Sequence, residues 1–317
     1  MQKWSPLGRR LIFVISQPRS GSTLLQKVLG SHSAIHTLSE PWLALQPLFG
    51  LRETGIAADY SARLALIGVQ DFLAHLPEGE EAYWQAVRLM LGHLYSRALE
   101  ESGKRFFLDK TPRYHMILPE LRHVFPHAHF VFLVRNPIAV LASVIDTWAP
   151  DDCVHCIRPF RKDLTVAPGR ILEAIHRPGG NSTVIHYEDL AAKPAPAVAR
   201  LCERLRIPFE PAMLEYGRSE AGQARFRYGD TLTVHRKTRP VASRIARWKR
   251  TLDSPLRRAW AHGCLQSLGA ATVTGLGYDF DELSAAFPPQ PGFEGAWDEI
   301  VRAAAPQNAN SESRGST

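Results

Sequence analysis

Long apolar runs are missing from the start of this sequence. Behind the basic residues MQKWSPLGRR stands only LIFVIS, six residues, too short for a signal-peptide core and far too short to span a bilayer. Cysteine is scarce as well. The four present, Cys153, Cys156, Cys202 and Cys264, exclude the dense disulfide framework of a small secreted domain and fit a reducing compartment. The two absences together predict a cytoplasmic protein with no membrane association. No repeat of fixed period is visible, which leaves out solenoid and propeller arrays.

What is present is ordinary for a globular enzyme: 317 residues, 45% hydrophobic and 22% charged. The net charge of +7 and the pI near 9.4 favour an anionic partner: nucleic acid, an acidic surface or a polyphosphorylated small molecule. Short apolar runs at residues 11–16, 106–108, 129–134 and 183–186 alternate with stretches of helical spacing. That alternation predicts an α/β fold with a parallel sheet and helices on both faces. Residues 41–103 read as a helical insertion after a short second strand. The pattern predicts one domain over residues 1–287. From 288 to 317 the composition shifts to Pro, Gly, Ser and Asn, a tail expected to be disordered beyond Ala305.

The most informative stretch is VISQPRSGSTLLQKVLGSHS, residues 14–33. A strand feeding a small-residue turn and then a helix presents backbone N–H groups and the positive helix end to an anion, which points to a phosphate. The loop of a nucleoside triphosphatase would read GxxxxGK[ST]; here its first Gly is absent, Ser22 stands where the Lys would be, and Arg19 lies three residues earlier. A magnesium-holding Asp is missing too, since the run HFVFLV is followed by Arg135-Asn136-Pro137. These departures predict a nucleotide site that works without a metal.

QPRSGSTLLQKVLGSH resembles the 5′-phosphosulfate loop of sulfotransferases that use 3′-phosphoadenylyl sulfate (PAPS), and VFLVRNPIAVLASV resembles their 3′-phosphate motif. SEPW, DKTP and HYEDL stand where the bacterial and tyrosylprotein branches carry similar residues. The resemblance covers residues 10 to about 205 and implies a P-loop-NTPase-like parallel sheet flanked by helices. It also implies sulfuryl transfer from PAPS to an acceptor hydroxyl or amine, without a metal. By this likeness Arg19, Ser20, Gly21, Ser22, Thr23 and Leu24 would hold the 5′ end of the donor, and Arg135 and Ser143 its 3′-phosphate. Ser143 falls about 9 Å along the helix that opens at Pro137, so a phosphate touching both would lie beside that helix. Tyr187 resembles the tyrosine that reaches the nucleotide.

Transfer requires positive charge against the leaving bridge oxygen and a base for the acceptor. Arg19 and Lys110 are the candidates for the charge, Lys110 because it ends the run FFLDK and would project from the carboxyl end of a strand. Glu40, in HTLSEPW, is the candidate base; capping the following helix is its structural alternative, and His32 and His36 are nearby alternative bases. In the late basic stretch HRKTRPVASRIARWKRTL the serine that the family places before the Trp is Ala246, leaving Ser243, Arg247 and Lys249 as candidates to complete the 3′-phosphate pocket. CVHC, residues 153–156, has no second pair at zinc-ligand spacing and reads as a loop, within a segment suited to an acceptor lid. The acceptor expected is a carbohydrate or a small metabolite. A small-molecule kinase and a nucleic-acid-binding module are the competing classes. The first is opposed by the missing Lys and Asp, the second by the lack of a reading motif.

Overall fold

A computed structural model describes residues 8–177, 181–218 and 237–302. From β1 (Leu11–Ser16) the chain runs through α1 (Ser22–Gly30), β2 (Ile35–Thr37), α2 (Leu45–Phe49), α3 (Ala62–Leu73), α4 (Glu80–Ser102) and β3 (Phe106–Lys110). It continues through α5 (Leu118–Val124), β4 (His129–Val134), α6 (Pro137–Trp148), α7 (Val154–Ile157), α8 (Arg161–Thr165), α9 (Ala167–His176) and β5 (Asn181–His186). There follow α10 (Tyr187–Ala192), α11 (Pro194–Leu205), α12 (Trp248–Thr251), α13 (Pro255–Gly275), α14 (Phe280–Ala286) and α15 (Ala296–Val301). The five strands are parallel, in the order β2-β3-β1-β4-β5. The chain builds to one side of β1 and then crosses to β4 on the other, which makes the carboxyl ends of β1 and β4 a topological switch point where open sheets bind ligands.

β1 is buried at all six positions, as a strand covered on both faces must be. Its alternation sorts the core. Leu11, Phe13 and Ile15 join Phe107, Phe130 and Phe132 under α4 and α5. Ile12 and Val14 face the other way, against Leu25, Val28 and Leu29 of α1 and Val198 and Leu201 of α11. α4 contributes Trp84, Val87, Leu91, Tyr95 and Leu99, the three-and-four spacing of one helix face. The helical insertion therefore lies between β2 and β3, where the sequence indicates it.

A third cluster joins α6, α13 and α15, with Ile138, Leu141 and Ile145 against Trp260, Leu265, Trp297 and Ile300. Gly263 of α13 admits the Trp297 side chain, whose Cβ would stand 2.2 Å from a Cβ on that glycine. The packed body thus extends past Phe287, which the composition shift marks as its end: the polar, Pro-rich link conceals two apolar side chains that dock. The disorder expected beyond Ala305 falls outside the described residues. No described helix is long and apolar enough to cross a membrane.

Candidate active site

A cavity of about 600 Å³ opens at the carboxyl ends of the strands. The segment after each strand contributes to its wall: Arg19, Gly21, Ser22, Thr23 and Leu24 after β1, Glu40 and Trp42 after β2, Arg113 after β3, Arg135 after β4 and Tyr187 after β5. The loop after β1 turns through left-handed backbone at Arg19, φ 70°, and at Gly21, φ 92°. Gly21 is the N-cap of α1, whose first N–H groups have no acceptor within the helix. Only glycine fits there, because a Cβ would lie 2.5 Å from Cδ2 of Tyr187. Ser20 is wholly buried beneath the loop rather than lining the cavity.

The Tyr187 ring also carries the Arg135 guanidinium, 4.3 Å from its centroid. Arg135 Nη1 donates to the Arg19 carbonyl at 2.8 Å, tying the end of β4 to the loop after β1. Burial pulls the Arg135 guanidinium below its ordinary pKa; Tyr187 and Glu188 oppose the pull and Arg244 adds to it. Next in sequence, Asn136 caps α6 by accepting from the Ile138 and Ala139 N–H groups, with Pro137 at the first helical position. Ser143, farther along α6, lines the same cavity and accepts from Arg19 Nε at 3.2 Å. The structure thus brings Arg19, Arg135, Ser143 and Tyr187 into one wall.

Glu40 also lines the cavity, its carboxylate Oε1 accepting from Lys110 Nζ at 2.6 Å. Lys110 is fully buried behind it and is not among the side chains lining the cavity, so it does not project into open space as a strand-end lysine would. Burial lowers the Lys110 pKa, with Glu40 and Asp109 acting in the opposite direction. Asp109 organises the segment around Glu40. It accepts from Tyr95, Tyr114 and Thr111 hydroxyls, Tyr114 in turn accepts from the Ala44 N–H, and Thr111 from the Trp42 N–H.

His32 and His36 take no part in the cavity wall. The His32 ring spans the Pro208 carbonyl and the Ala34 N–H, and His36 packs edge-on to Phe107. Of the late basic candidates, Arg247 lines the cavity while bonded to Asp146 at 2.9 Å, and Ser243 and Lys249 do not line it. Arg244, which sequence reasoning passed over, does. Its only signal is membership of the basic stretch. Part of the lining is aromatic: Trp148 stacks on Phe160 at 4.1 Å, Arg19 lies 5.2 Å from the Trp148 ring, and Arg113 lies 5.9 Å from the Trp42 ring. Among the described residues no cluster of three or more His, Cys, Asp or Glu side chains could hold a metal ion.

Comparison with known proteins agrees with this arrangement. The chain is 30% identical over 221 residues to nodulation protein NoeE of Sinorhizobium fredii, covering 64% of this chain and 51% of that one. It is 26% identical over 212 residues to protein-tyrosine sulfotransferase 1 of Danio rerio, covering 65% and 56% respectively. The chain thus spans about half the length of these two relatives. In fold it is similar to the sulfotransferase domain of the curacin biosynthetic pathway, with a TM-score of 0.54 at 20% identity over 88% of this chain and 98% of that one. The sulfotransferase domain of a Synechococcus olefin synthase gives 0.55 at 22% identity, over 84% and 92%. Residues 11–211, which hold the five strands, the loop after β1, Glu40, Lys110 and Arg135, match the Sulfotransferase family, and the chain belongs to it.

Proposed function

We propose that the protein moves the sulfuryl group of PAPS to a hydroxyl of a carbohydrate or a small hydroxylated metabolite, releasing adenosine 3′,5′-bisphosphate. One observation carries this reading: Glu40 and the glycine loop after β1 line the same cavity. A carboxylate and a phosphate loop facing common space suit transfer from a nucleotide to a hydroxyl. The residues also fit the donor. Arg135 Nε is buried without a hydrogen-bond partner among the described residues, on a side chain that lines the cavity. Such atoms are costly unless an anion or other acceptor satisfies them.

Arg19 and residues Gly21 to Leu24 would hold the 5′ end of the donor, and Arg135 and Ser143 the 3′-phosphate, with Tyr187 beside it. Once bound, PAPS supplies a sulfuryl group on a phosphate leaving group. Glu40 then takes the proton of the acceptor hydroxyl, at the Oε2 oxygen that Lys110 does not occupy. Proton arrival neutralises Glu40 and leaves the Lys110 ammonium uncompensated beside the cavity. Its charge, with that of Arg19, then favours the negative charge developing on the leaving side. The Trp42, Trp148 and Phe160 rings offer flat apolar faces for a sugar or a ring-bearing alcohol.

The test is transfer of labelled sulfate from PAPS to a panel of sugars, phenols, aliphatic alcohols and a tyrosine peptide, with EDTA present throughout. Label on a sugar or small alcohol, undiminished by EDTA, is expected. Labelling of the peptide alone would overturn the acceptor class, and strict magnesium dependence or ATP as donor would overturn the reaction.

A further inference from the structure

Between Trp148 and Phe160, which close on each other in the cavity wall, the chain makes a strap that contains Cys153 and Cys156. Their Sγ atoms are 2.6 Å apart, the Cys156 thiol donating to Cys153. The pair is held in place from both sides. Before it, Arg257 Nε bonds Asp152 at 2.5 Å and Arg257 Nη2 bonds the Pro150 carbonyl at 2.6 Å. After it, Ile157 is fully buried in the cluster around α6 and α13, and Arg158 donates to the Glu299 carbonyl at 2.9 Å. Within it, the Cys156 N–H bonds the Cys153 carbonyl at 3.0 Å. Cys156 is exposed and Cys153 half-buried, whereas Cys202 and Cys264 are enclosed in the core.

We propose that Cys153 and Cys156 are a reversible dithiol–disulfide site, and that its state is transmitted to the cavity wall through the Trp148–Phe160 stack. Two thiols fixed at contact distance, one exposed and the other half-buried, meet the requirements for exchange with a small disulfide such as oxidised glutathione. The Cys153 thiolate attacks one sulfur of that disulfide, forming a mixed disulfide and expelling one glutathione thiolate. The Cys156 thiolate then attacks the Cys153 sulfur and expels the second. The protein loses two protons and two electrons, and one glutathione disulfide becomes two glutathione thiols. The hydrogen bond from Cys156 also lowers the Cys153 thiol pKa, which favours Cys153 as the attacking sulfur. An intrachain bond replaces the thiol contact, and Ile157 and Arg158, which join the pair to Phe160 and pack on the cluster around α6 and on α15, pass the adjustment to the stack.

The experiment equilibrates the full chain in glutathione buffers of graded ratio, quenches with acid, unfolds, alkylates and maps the tags by mass spectrometry. Of the four thiols, Cys153 and Cys156 are expected to lose their tags together as the oxidised fraction rises, with Cys202 and Cys264 tagged throughout. Excess dithiothreitol should restore both tags. Retention of both tags in excess oxidised glutathione, or a Cys156 glutathione adduct that never resolves, would overturn the site. Transmission is read from tryptophan emission, oxidised against reduced. A difference that disappears in Cys153→Ser and in Trp148→Phe is expected. Disulfide formation with no emission change, or with a change that survives in Trp148→Phe, would overturn the coupling.

Discussion

Replacing Glu40 by glutamine leaves the Lys110 ammonium, 0% exposed, without the carboxylate that lies 2.6 Å away. Breaking a buried pair from one side costs about 3–5 kcal/mol, most of it the desolvation of the charge left behind. Lys110→Met leaves the Glu40 carboxylate, which lines the cavity where the lysine does not, and so costs less. The double variant Glu40→Gln, Lys110→Met carries neither charge and should recover a large part of both losses, giving a coupling on the order of 3 kcal/mol between the sites. The Glu40→Gln penalty also depends on pH. Burial already lowers the Lys110 pKa, and losing Glu40 removes the neighbouring negative charge and hydrogen bond that raise it. A lysine depressed in the native state weakens folding most below its folded pKa, where it is charged. That cost is relieved as pH rises from there toward the unfolded value of 10.5. Urea unfolding of the four proteins, at neutral and at alkaline pH, measures both effects. Single-turnover rates on the same samples should show a fall of about 10²- to 10⁴-fold for Glu40→Gln, the usual contribution of a general base. Stability losses that add to within about 0.5 kcal/mol would mean that the pair does not exist in solution, and the argument for how Glu40 is held would fail.

Gly21→Ala places a Cβ 2.5 Å from Tyr187 in left-handed backbone, so the ring that carries Arg135 must move. Backbone strain alone costs about 1–2 kcal/mol, and calorimetry should show nucleotide affinity falling as well; wild-type melting and affinity would refute the packing argument. Asp109 concerns pH, for burial pushes its carboxyl up from 3.8 to about 6. The native state then holds that proton more tightly than the unfolded chain, so the stability contributed by this group declines as pH rises from 3.8 through about 6. Asp109→Asn removes the decline, and the stability difference between wild type and variant should shift by about 3 kcal/mol between acid and neutral urea titrations. A difference that does not move would place the titration elsewhere.

The parts of the molecule legible in the sequence are those written in local signals. β1, its glycine turn and α1 are contiguous, and so are β4, Arg135 and the Asn136-Pro137 start of α6; strand alternation and capping chemistry act within a few residues. The parallel direction of the strands followed from the same alternation, whereas their order β2-β3-β1-β4-β5 did not. Less legible were relations between distant segments. Lys110 and Glu40 are 70 residues apart, and nothing in FFLDK says that its lysine turns back to meet a carboxylate instead of facing the ligand space. Arg244 stands among several basic residues whose charges look alike until packing selects those that face the cavity. Trp297 and Ile300 hide in a polar stretch because two well-placed side chains are enough to dock a short helix. Cys153 and Cys156 were legible as a pair, but only the anchors at Arg257, Ile157 and Arg158 explain why the thiols meet.

The central claim is that the wall formed by the loop after β1, Arg135 and Ser143 holds an adenosine nucleotide by its 3′-phosphate. Isothermal calorimetry with adenosine 3′,5′-bisphosphate and 5′-AMP, in EDTA, on wild type and Arg135→Ala tests it most directly. A charge-assisted contact of about 1.5–3 kcal/mol predicts that the bisphosphate binds wild type roughly 10- to 150-fold more tightly than 5′-AMP, and that Arg135→Ala removes most of this preference. Equal affinities for the two nucleotides in wild type, or a preference that Arg135→Ala leaves intact, would contradict it.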